Sequence, residues 1–447
     1  MLSRIVYSAV AFLCCLPSLS LAQPAQTPAL KHLEAVNKVI TAELPDVVKL
    51  YLHLHANPEL SFQEEKTSAR LADELKKLGF TVTTKIGTHG IVGVFKNGDG
   101  PTLLVRTDMD ALPIIEQTGL AYASKVKTKN REGAEVGVMH ACGHDIHMSS
   151  FIGTARTLIA LKDRWAGTLV FVAQPAEEIG AGARAMIADG LFKKFPKPDY
   201  CLALHAEPRL PVGTIAFTEG LALANVDTVD LVIKGKGGHG AAPHTTVDPI
   251  VLAAKVILDL QTIVSREVNP TDPAVVTVGS IHGGTKHNII PNEVKLQLTV
   301  RTTKDTVRDQ VLKSIDRIAK GAAIAARAPE PVMTINLDEF TPATYNDPKL
   351  TRRIVPVLRD ILGEKNVRER PPILGGEDFG RYSESGAPIF MYFLGTITPE
   401  KYDISQKPGA QQLPGMHSDG YAPVPETSLQ FGMRTMSMAA LELLGKK

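Results

Sequence analysis

The stretch from Met139 to His147, Met-His-Ala-Cys-Gly-His-Asp-Ile-His, places three histidines, one cysteine and one aspartate in nine positions. Folding alone does not ask for that density. Residues two apart, as Cys142 and His144 are, face the same side only on an extended or looped backbone, because on a helix they point about 200° apart. A looped Cys-x-His brings a thiolate and an imidazole to one point, the ligand pair that suits zinc or a similar first-row metal. Ile146 to Leu161 then runs with helical apolar spacing, and Asp145 reads as its N-cap. The ligands therefore sit at a loop-to-helix junction. The competing reading, a free cysteine in the core beside surface histidines, suits a lone Cys or His better than this cluster.

The surrounding chain alternates strand and helix. Residues 30–79 read as two helices, the second closing at Gly79, and strands follow at about 80–85, 90–96 and 102–107. The third strand ends in Arg106-Thr107-Asp108-Met109-Asp110. Thr168 to Ala173 runs into Gln174-Pro175-Ala176-Glu177-Glu178, and Tyr200 to Leu204 runs into His205-Ala206-Glu207. Helical stretches at 146–162 and 181–189 lie between them, which makes the fold class α/β. Open α/β sheets bind ligands beyond the carboxyl ends of their strands. Asp108, Glu177, Glu178 and His205 fall at such ends, so they can converge with the Cys142 loop on one site.

At 447 residues the chain exceeds one ordinary core. Its character changes near Ala224: four strands and two helices follow in about 110 residues, the pattern of a separate α+β domain. This domain, 224–337, is inserted between 23–223 and 338–447, because the last part carries the polar motif at 375–378 and His417 and needs the first part to complete a core. Lys plus Arg is 49 against Asp plus Glu at 47, with no long run of one sign, which argues against nucleic acid or an anionic membrane as partner. In residues 1–22, Arg4, the apolar run Ile5 to Leu16 and Ser20-Leu21-Ala22 read as a secretory signal peptide. The expected setting is periplasmic or secreted, without a stable membrane anchor, since the apolar run is short for a span. Export raises a Cys142–Cys201 disulfide as an alternative to metal ligation. Cys201 lies in an apolar strand and reads as an ordinary core residue.

Taken in order, His55-Ala56-Asn57-Pro58-Glu59-Leu60, Asp108 to Pro113, Met139 to His147, Gln174 to Glu178, Gly235 to His244, Asn288 to Pro291, Gly376 to Phe379 and Gly415-Met416-His417 form a set. The set resembles the amidohydrolase branch of the di-metal aminoacylase and carboxypeptidase family. Hippurate hydrolases, indole-acetyl-amino-acid hydrolases and thermostable bacterial carboxypeptidases are members. The resemblance covers nearly all of the chain after the signal segment. It implies a di-metal aminopeptidase/carboxypeptidase-like catalytic domain, with a central mixed sheet and helices on both faces, and an inserted lid that also dimerises the protein into a homodimer or higher homo-oligomer.

By the same resemblance Cys142, His144, Glu178, His205 and His417 hold two divalent metal ions (Zn, Mn, Co or Ni), with the cysteine as bridge, and Glu177 is the general base. On extended backbone the adjacent Glu177 and Glu178 point in different directions, one to metal and one to substrate. Arg106 stands where distant relatives carry a metal-binding His, and Arg cannot ligate a metal; Asp108 remains as a carboxylate that orients a His ligand. His239 matches an oxyanion-stabilising residue, acting in its own or the partner's site. Asn288 and Arg301 match residues that grip the substrate's free carboxylate. Gly376 offers backbone to the substrate and Glu377 supports a metal ligand. His244 reads as structural, and His53, His89, His282 and His287 have no evident partner.

The implied reaction is hydrolysis of the amide bond of a small N-acyl or N-aroyl amino acid. A metallo-carboxypeptidase or dipeptidase acting on short peptides, or an N-acetyl-diaminopimelate-type deacetylase, is the same chemistry on another substrate. A periplasmic ligand-binding protein without catalysis is the rival from another class, and it has no need of adjacent Glu177 and Glu178.

Overall fold

A computed structural model describes residues 27–446; the segment read as a signal peptide, 1–22, lies outside the described residues. Eight strands form one mixed sheet in the order Thr81–Ile86, Gly90–Asn97, Gly167–Gln174, Thr102–Asp108, Tyr200–Pro211, Ile389–Ile397, Ile215–Phe217, Val367–Glu369. The four central strands run parallel to one another, while Gly90–Asn97 is antiparallel to both its neighbours. Parallel strands are covered on both faces and read as unbroken apolar runs, as Leu169 to Ala173 and Phe390 to Leu394 do. The two-residue period of the strand divides those runs between two cores. Leu103, Val105, Leu169 and Phe171 face the helices Leu33–Ala56, His144–Ala160, Pro348–Leu362 and Pro425–Leu444. Leu104, Val170, Val172 and Met391 face the other way, onto Ala183 and Met186 of the helix Gly182–Ala188 and onto Phe379 and Tyr382.

Between Asn225 and Ile335 a second sheet forms, antiparallel, in the order Ala274–Gly283, Glu293–Thr302, Asn225–Lys234, Val332–Ile335. Val229, Leu231 and Ile233 alternate inward with Leu296, Leu298 and Val300, and the helices Pro249–Thr262 and Asp305–Ala326 cover that face. Val307, Val311, Ile315 and Ala319 recur every fourth residue, one stripe of a helix. Asp248 caps the shorter helix by accepting from the Ile250 N–H, with Pro249 in the first turn. Burying each of Leu252, Val256 and Leu260 there contributes roughly 1.5–3 kcal/mol.

At the cluster the helix starts earlier than its apolar spacing indicates. It opens at His144, with Gly143 in the cap position at φ +79°, and Asp145 is not the N-cap. A side chain at Gly143 would meet the Ala206 Cβ at 2.8 Å and the Tyr421 hydroxyl at 3.1 Å, so glycine alone makes this turn. Asp145 is drawn into the first turn, where one oxygen accepts from the Ile146 N–H and the other lies 2.7 Å from His55 Nδ1. Among the described residues no helix is long and apolar enough to cross a membrane.

Candidate metal centre

Where the carboxyl ends of the central strands meet the inserted sheet, a cavity of about 290 Å³ opens. Cys142, Glu177, Glu178, His205 and His417 line one wall, and Val226, Thr228 and Arg301 of the inserted sheet line the other. The ligand atoms of Cys142, His144 and His205 all lie within 4.8 Å of one another, and so do those of Cys142, Glu178 and His417. The two triads share Cys142. Its Sγ is 3.6 Å from His205 Nε2, and Glu178 Oε2 is 3.3 Å from His417 Nε2.

Two of the three imidazoles are oriented from behind. A main-chain carbonyl can only accept, so His144 Nδ1 donates to the Asp110 carbonyl at 2.7 Å and His205 Nδ1 donates to the Ala206 carbonyl at 2.8 Å. Both rings then present a bare Nε2 to the centre. His144 Nε2 and Glu178 Oε1 are buried and have no hydrogen-bond partner among the described residues, which is costly unless an ion or water fills the space between them. Thiolate, imidazoles and carboxylate together suit zinc and similar metals. The donor set fits divalent cations, while Cys142 and Cys201 form no disulfide among the described residues.

Glu177 and Glu178 do not sit on extended backbone. The chain turns at Ala176, whose φ of +52° lies in the left-handed region, a conformation that costs a non-glycine residue roughly 1–2 kcal/mol. The turn points both carboxylates at His144, each 3.8 Å from its Nε2. His417 is likewise left-handed, at φ +63°, and its N–H donates to the Ala141 carbonyl at 2.9 Å. Two such residues flanking one cavity fit a site held in shape by its surroundings.

The electrostatics describe a pocket with too much negative charge for its own cations. Burial pushes Glu178 up to about 8, with Asp110 adding to the effect. Burial, then Glu377 and Glu178, holds Glu177 well above the carboxylate range. Cys142 is raised by burial and by Glu178 and Glu177. Burial alone would lower His144, but Asp108, Asp110 and Glu178 outweigh it and lift it to about 10. A divalent cation reverses this logic and favours thiolate, carboxylate and neutral imidazole together.

Asp108 holds His147 rather than one of the proposed ligands: Oδ1 is 2.6 Å from His147 Nδ1, and His147 Nε2 accepts from the Ala206 N–H at 2.6 Å. With both nitrogens engaged, the third histidine of the cluster is a structural residue. Asp108 Oδ2 reaches Arg106 at 2.7 Å and lies 3.8 Å from His144 Nε2. Arg106 is itself buried and also pairs with Glu377 and Asp378, each at 3.0 Å. Glu377 therefore supports Arg106, not a metal ligand, and its other role is to accept from the Phe379 N–H. Neither pairing is visible in sequence, since Arg106 and Glu377 are 271 positions apart.

His55 is a further residue that motif reading leaves without a role. Its Nδ1 faces Asp145 and its Nε2 faces Glu116 at 3.1 Å, so only the doubly protonated ring satisfies both carboxylates. Burial opposes the charge, yet Asp145 and Glu116 raise His55 to about 9.

The candidates of the inserted domain separate. Arg301 lines the cavity, half-buried, with Nε donated to the Thr299 hydroxyl at 3.0 Å and no carboxylate within 4.0 Å among the described residues. Burial lowers its pKa. Gly376 also lines the cavity; a Cβ there would stand 2.5 Å from Val226 Cγ2 and 3.4 Å from the Arg301 guanidinium. His239 and Asn288 line a different, open cavity of about 510 Å³ on the inserted domain and do not line the first. His239 Nδ1 accepts from the Ala241 N–H at 3.0 Å, which leaves the proton on Nε2.

Residues 104–408 match peptidase family M20/M25/M40. The chain is 36% identical over 359 residues to thermostable carboxypeptidase 2 of Saccharolobus solfataricus, covering 79% of this chain and 87% of that one. It is 38% identical over 338 residues to the hippurate hydrolase of Campylobacter jejuni, covering 75% and 84%. The crystal structure of a dinuclear metal-binding peptidase of the M20 family from Bacillus subtilis matches with a TM-score of 0.71 at 31% identity, covering 90% of this chain and 98% of that one. The resemblance carried by the motifs thus holds across the fold, and this chain is a metal-dependent hydrolase belonging to peptidase family M20/M25/M40.

Proposed function

We propose that the protein hydrolyses the amide bond of an N-acyl or N-aroyl amino acid, releasing a carboxylic acid and a free amino acid. The observation that carries this reading is Arg301: a half-buried guanidinium without a carboxylate partner among the described residues, in the same small cavity as Glu177, Cys142, Glu178, His205 and His417. A forked cation facing such a centre suits the free carboxylate of an amino acid. Cys142, His144 and His205 would hold one divalent ion, and Cys142, Glu178 and His417 the other. Bound there, the ions supply Lewis acidity to the scissile carbonyl and to water. Glu177 takes a proton from the attacking water and delivers it to the leaving nitrogen. Gly376 leaves the space in which the guanidinium meets the substrate.

His239 and Asn288 lie too far round the inserted domain to serve this cavity, and we assign them to the site of a second copy in a dimer. The signal-like residues 1–22 support export. A metallo-carboxypeptidase reading shares every element, because a peptide also ends in a free carboxylate. The deciding experiment is metal content by elemental analysis together with amino-acid release from hippurate, acetylated amino acids and dipeptides, with and without chelator. About two metals per chain and chelator-sensitive release from the acylated substrates support the proposal. Cleavage of dipeptides alone moves the substrate to the second reading, and absence of metal after reconstitution sinks both.

A further inference from the structure

Three consecutive backbone N–H groups at the turn that carries the two glutamates are donated to buried carboxylates from elsewhere in the chain. Ala176 N–H donates to Glu64 Oε1 at 2.8 Å, Glu177 N–H to Asp110 Oδ1 at 3.1 Å, and Glu178 N–H to Asp110 Oδ2 at 3.0 Å. The Ser61 hydroxyl adds a fourth bond, to Asp110 Oδ2 at 2.6 Å. Asp110 and Glu64 are both fully buried, and neither lines the cavity. The main-chain carbonyl of Asp110 is also the acceptor that bares His144 Nε2. One residue thus touches the bearers of Glu177, Glu178 and His144 through three different oxygens.

Successive N–H groups at a left-handed turn form a concave anion receptor, and here the protein fills it with its own side chains. We propose that Asp110, assisted by Glu64, is a positioning residue of the hydrolytic reaction. The pair clamps Ala176–Glu178 at the level of the peptide groups, so that Glu178 faces Cys142 and His417 while Glu177 faces the cavity, and Asp110 sets the tautomer of His144. This rests on the assignment of Glu177 as base and Glu178 as ligand. A carboxylate is required at position 110, because both oxygens accept from N–H groups at once; an amide of the same shape would turn an NH₂ towards one of those donors.

The test compares Asp110→Asn, Glu64→Leu and Ser61→Ala in the full, metal-reconstituted chain. Each is read by kcat and KM, by metal affinity in competition with a chelator, and by the visible absorption of the cobalt(II)-loaded protein. Asp110→Asn is expected to lower kcat about 100-fold with KM within about threefold, to weaken metal binding about 10- to 100-fold, and to shift the cobalt bands. Glu64→Leu, which removes the acceptor of the Ala176 N–H, should lower kcat about 10-fold and shift the bands in the same direction, and Ser61→Ala should do so by less. If Asp110→Asn does not fold, Glu64→Leu, which leaves the Ala176 N–H without its acceptor, decides by the same criteria. A folded Asp110→Asn or Glu64→Leu with the parent's kcat and cobalt spectrum overturns the clamp. Glu177→Gln measured alongside keeps the two ideas apart: an active Glu177→Gln removes the underlying assignment, whereas an inactive one beside a fully active Asp110→Asn removes only the clamp.

Discussion

The two walls of the cavity are built on different terms. On the catalytic side two histidine donors are held twice, once by place and again by a carbonyl behind the ring, His144 by that of Asp110 and His205 by that of Ala206, and the backbone of His417 is tied to Ala141. On the inserted side Arg301 has one neutral hydrogen bond and an otherwise uncommitted guanidinium. A wall that reacts is fixed before substrate arrives, because misplacement by about 1 Å is costly. A wall that recognises keeps its charge available. Damage to the first should appear in kcat and metal content, and damage to the second in KM.

Glu177→Gln should give the largest effect, a loss of kcat of about a thousandfold with metal content and KM little changed; a loss of metal instead would make Glu177 a ligand. Cys142→Ala removes the donor common to both triads. It should cut turnover roughly 100-fold and bring metal content, measured by elemental analysis, below that of the parent. Retention of full metal content would show that the triads do not share the cysteine. Arg301→Met should raise KM about 10- to 100-fold while kcat stays within a few-fold, the scale of a hydrogen bond between charged groups. A fall in kcat at constant KM would erase the distinction between the walls.

The smallest effect on turnover is expected behind the catalytic wall, at His55. Its folded pKa of about 9 is raised above the ordinary 6.5, so the stabilisation is fully present below pH 6.5 and is lost as pH rises through about 9. The urea midpoint of the metal-loaded protein should fall across that window, by a stability on the order of 2–3 kcal/mol. His55→Gln should be less stable at pH 6.5 and show a flatter slope, and an unchanged slope would place the charge elsewhere.

Much of this was legible because strands and chemistry both leave marks on residue type. Apolar runs ending in Asp108, Glu177 and His205 mark strand ends, and Val229, Leu231 and Ile233 announce a half-buried strand by alternation alone. Glu178 and His205 stand out at such ends and Cys142 at a loop-to-helix junction, where thiol, imidazole and carboxylate have few other uses, while His417 is picked out by the resemblance of its motif. What could not be read depends on conformation or on distant partners. Nothing in the letter Ala reports a left-handed φ at position 176, and without it the two glutamates read as an extended pair. Asp145 has the composition of a cap, but the left-handed turn at Gly143, where Ala206 leaves no room for a side chain, starts the helix one residue ahead of it. Arg106 reads as a lost ligand until Glu377 and Asp378 are seen around it. His239 and Asn288 carry plausible chemistry, yet only the fold shows that they face another cavity.

The order of strands in the large sheet has a consequence for how the molecule comes into being. Ile389–Ile397 lies between Tyr200–Pro211 and Ile215–Phe217, so the strand that fills the middle is among the last to leave the ribosome. The sheet cannot close until that segment arrives, a pairing of high contact order and slow formation. The inserted domain, from Asn225 to Ile335, contains all of its own strands and can finish early. For part of its synthesis the chain is therefore a completed inserted domain tethered to an open half-sheet, with Cys142, Glu178 and His205 already made and His417 still to come.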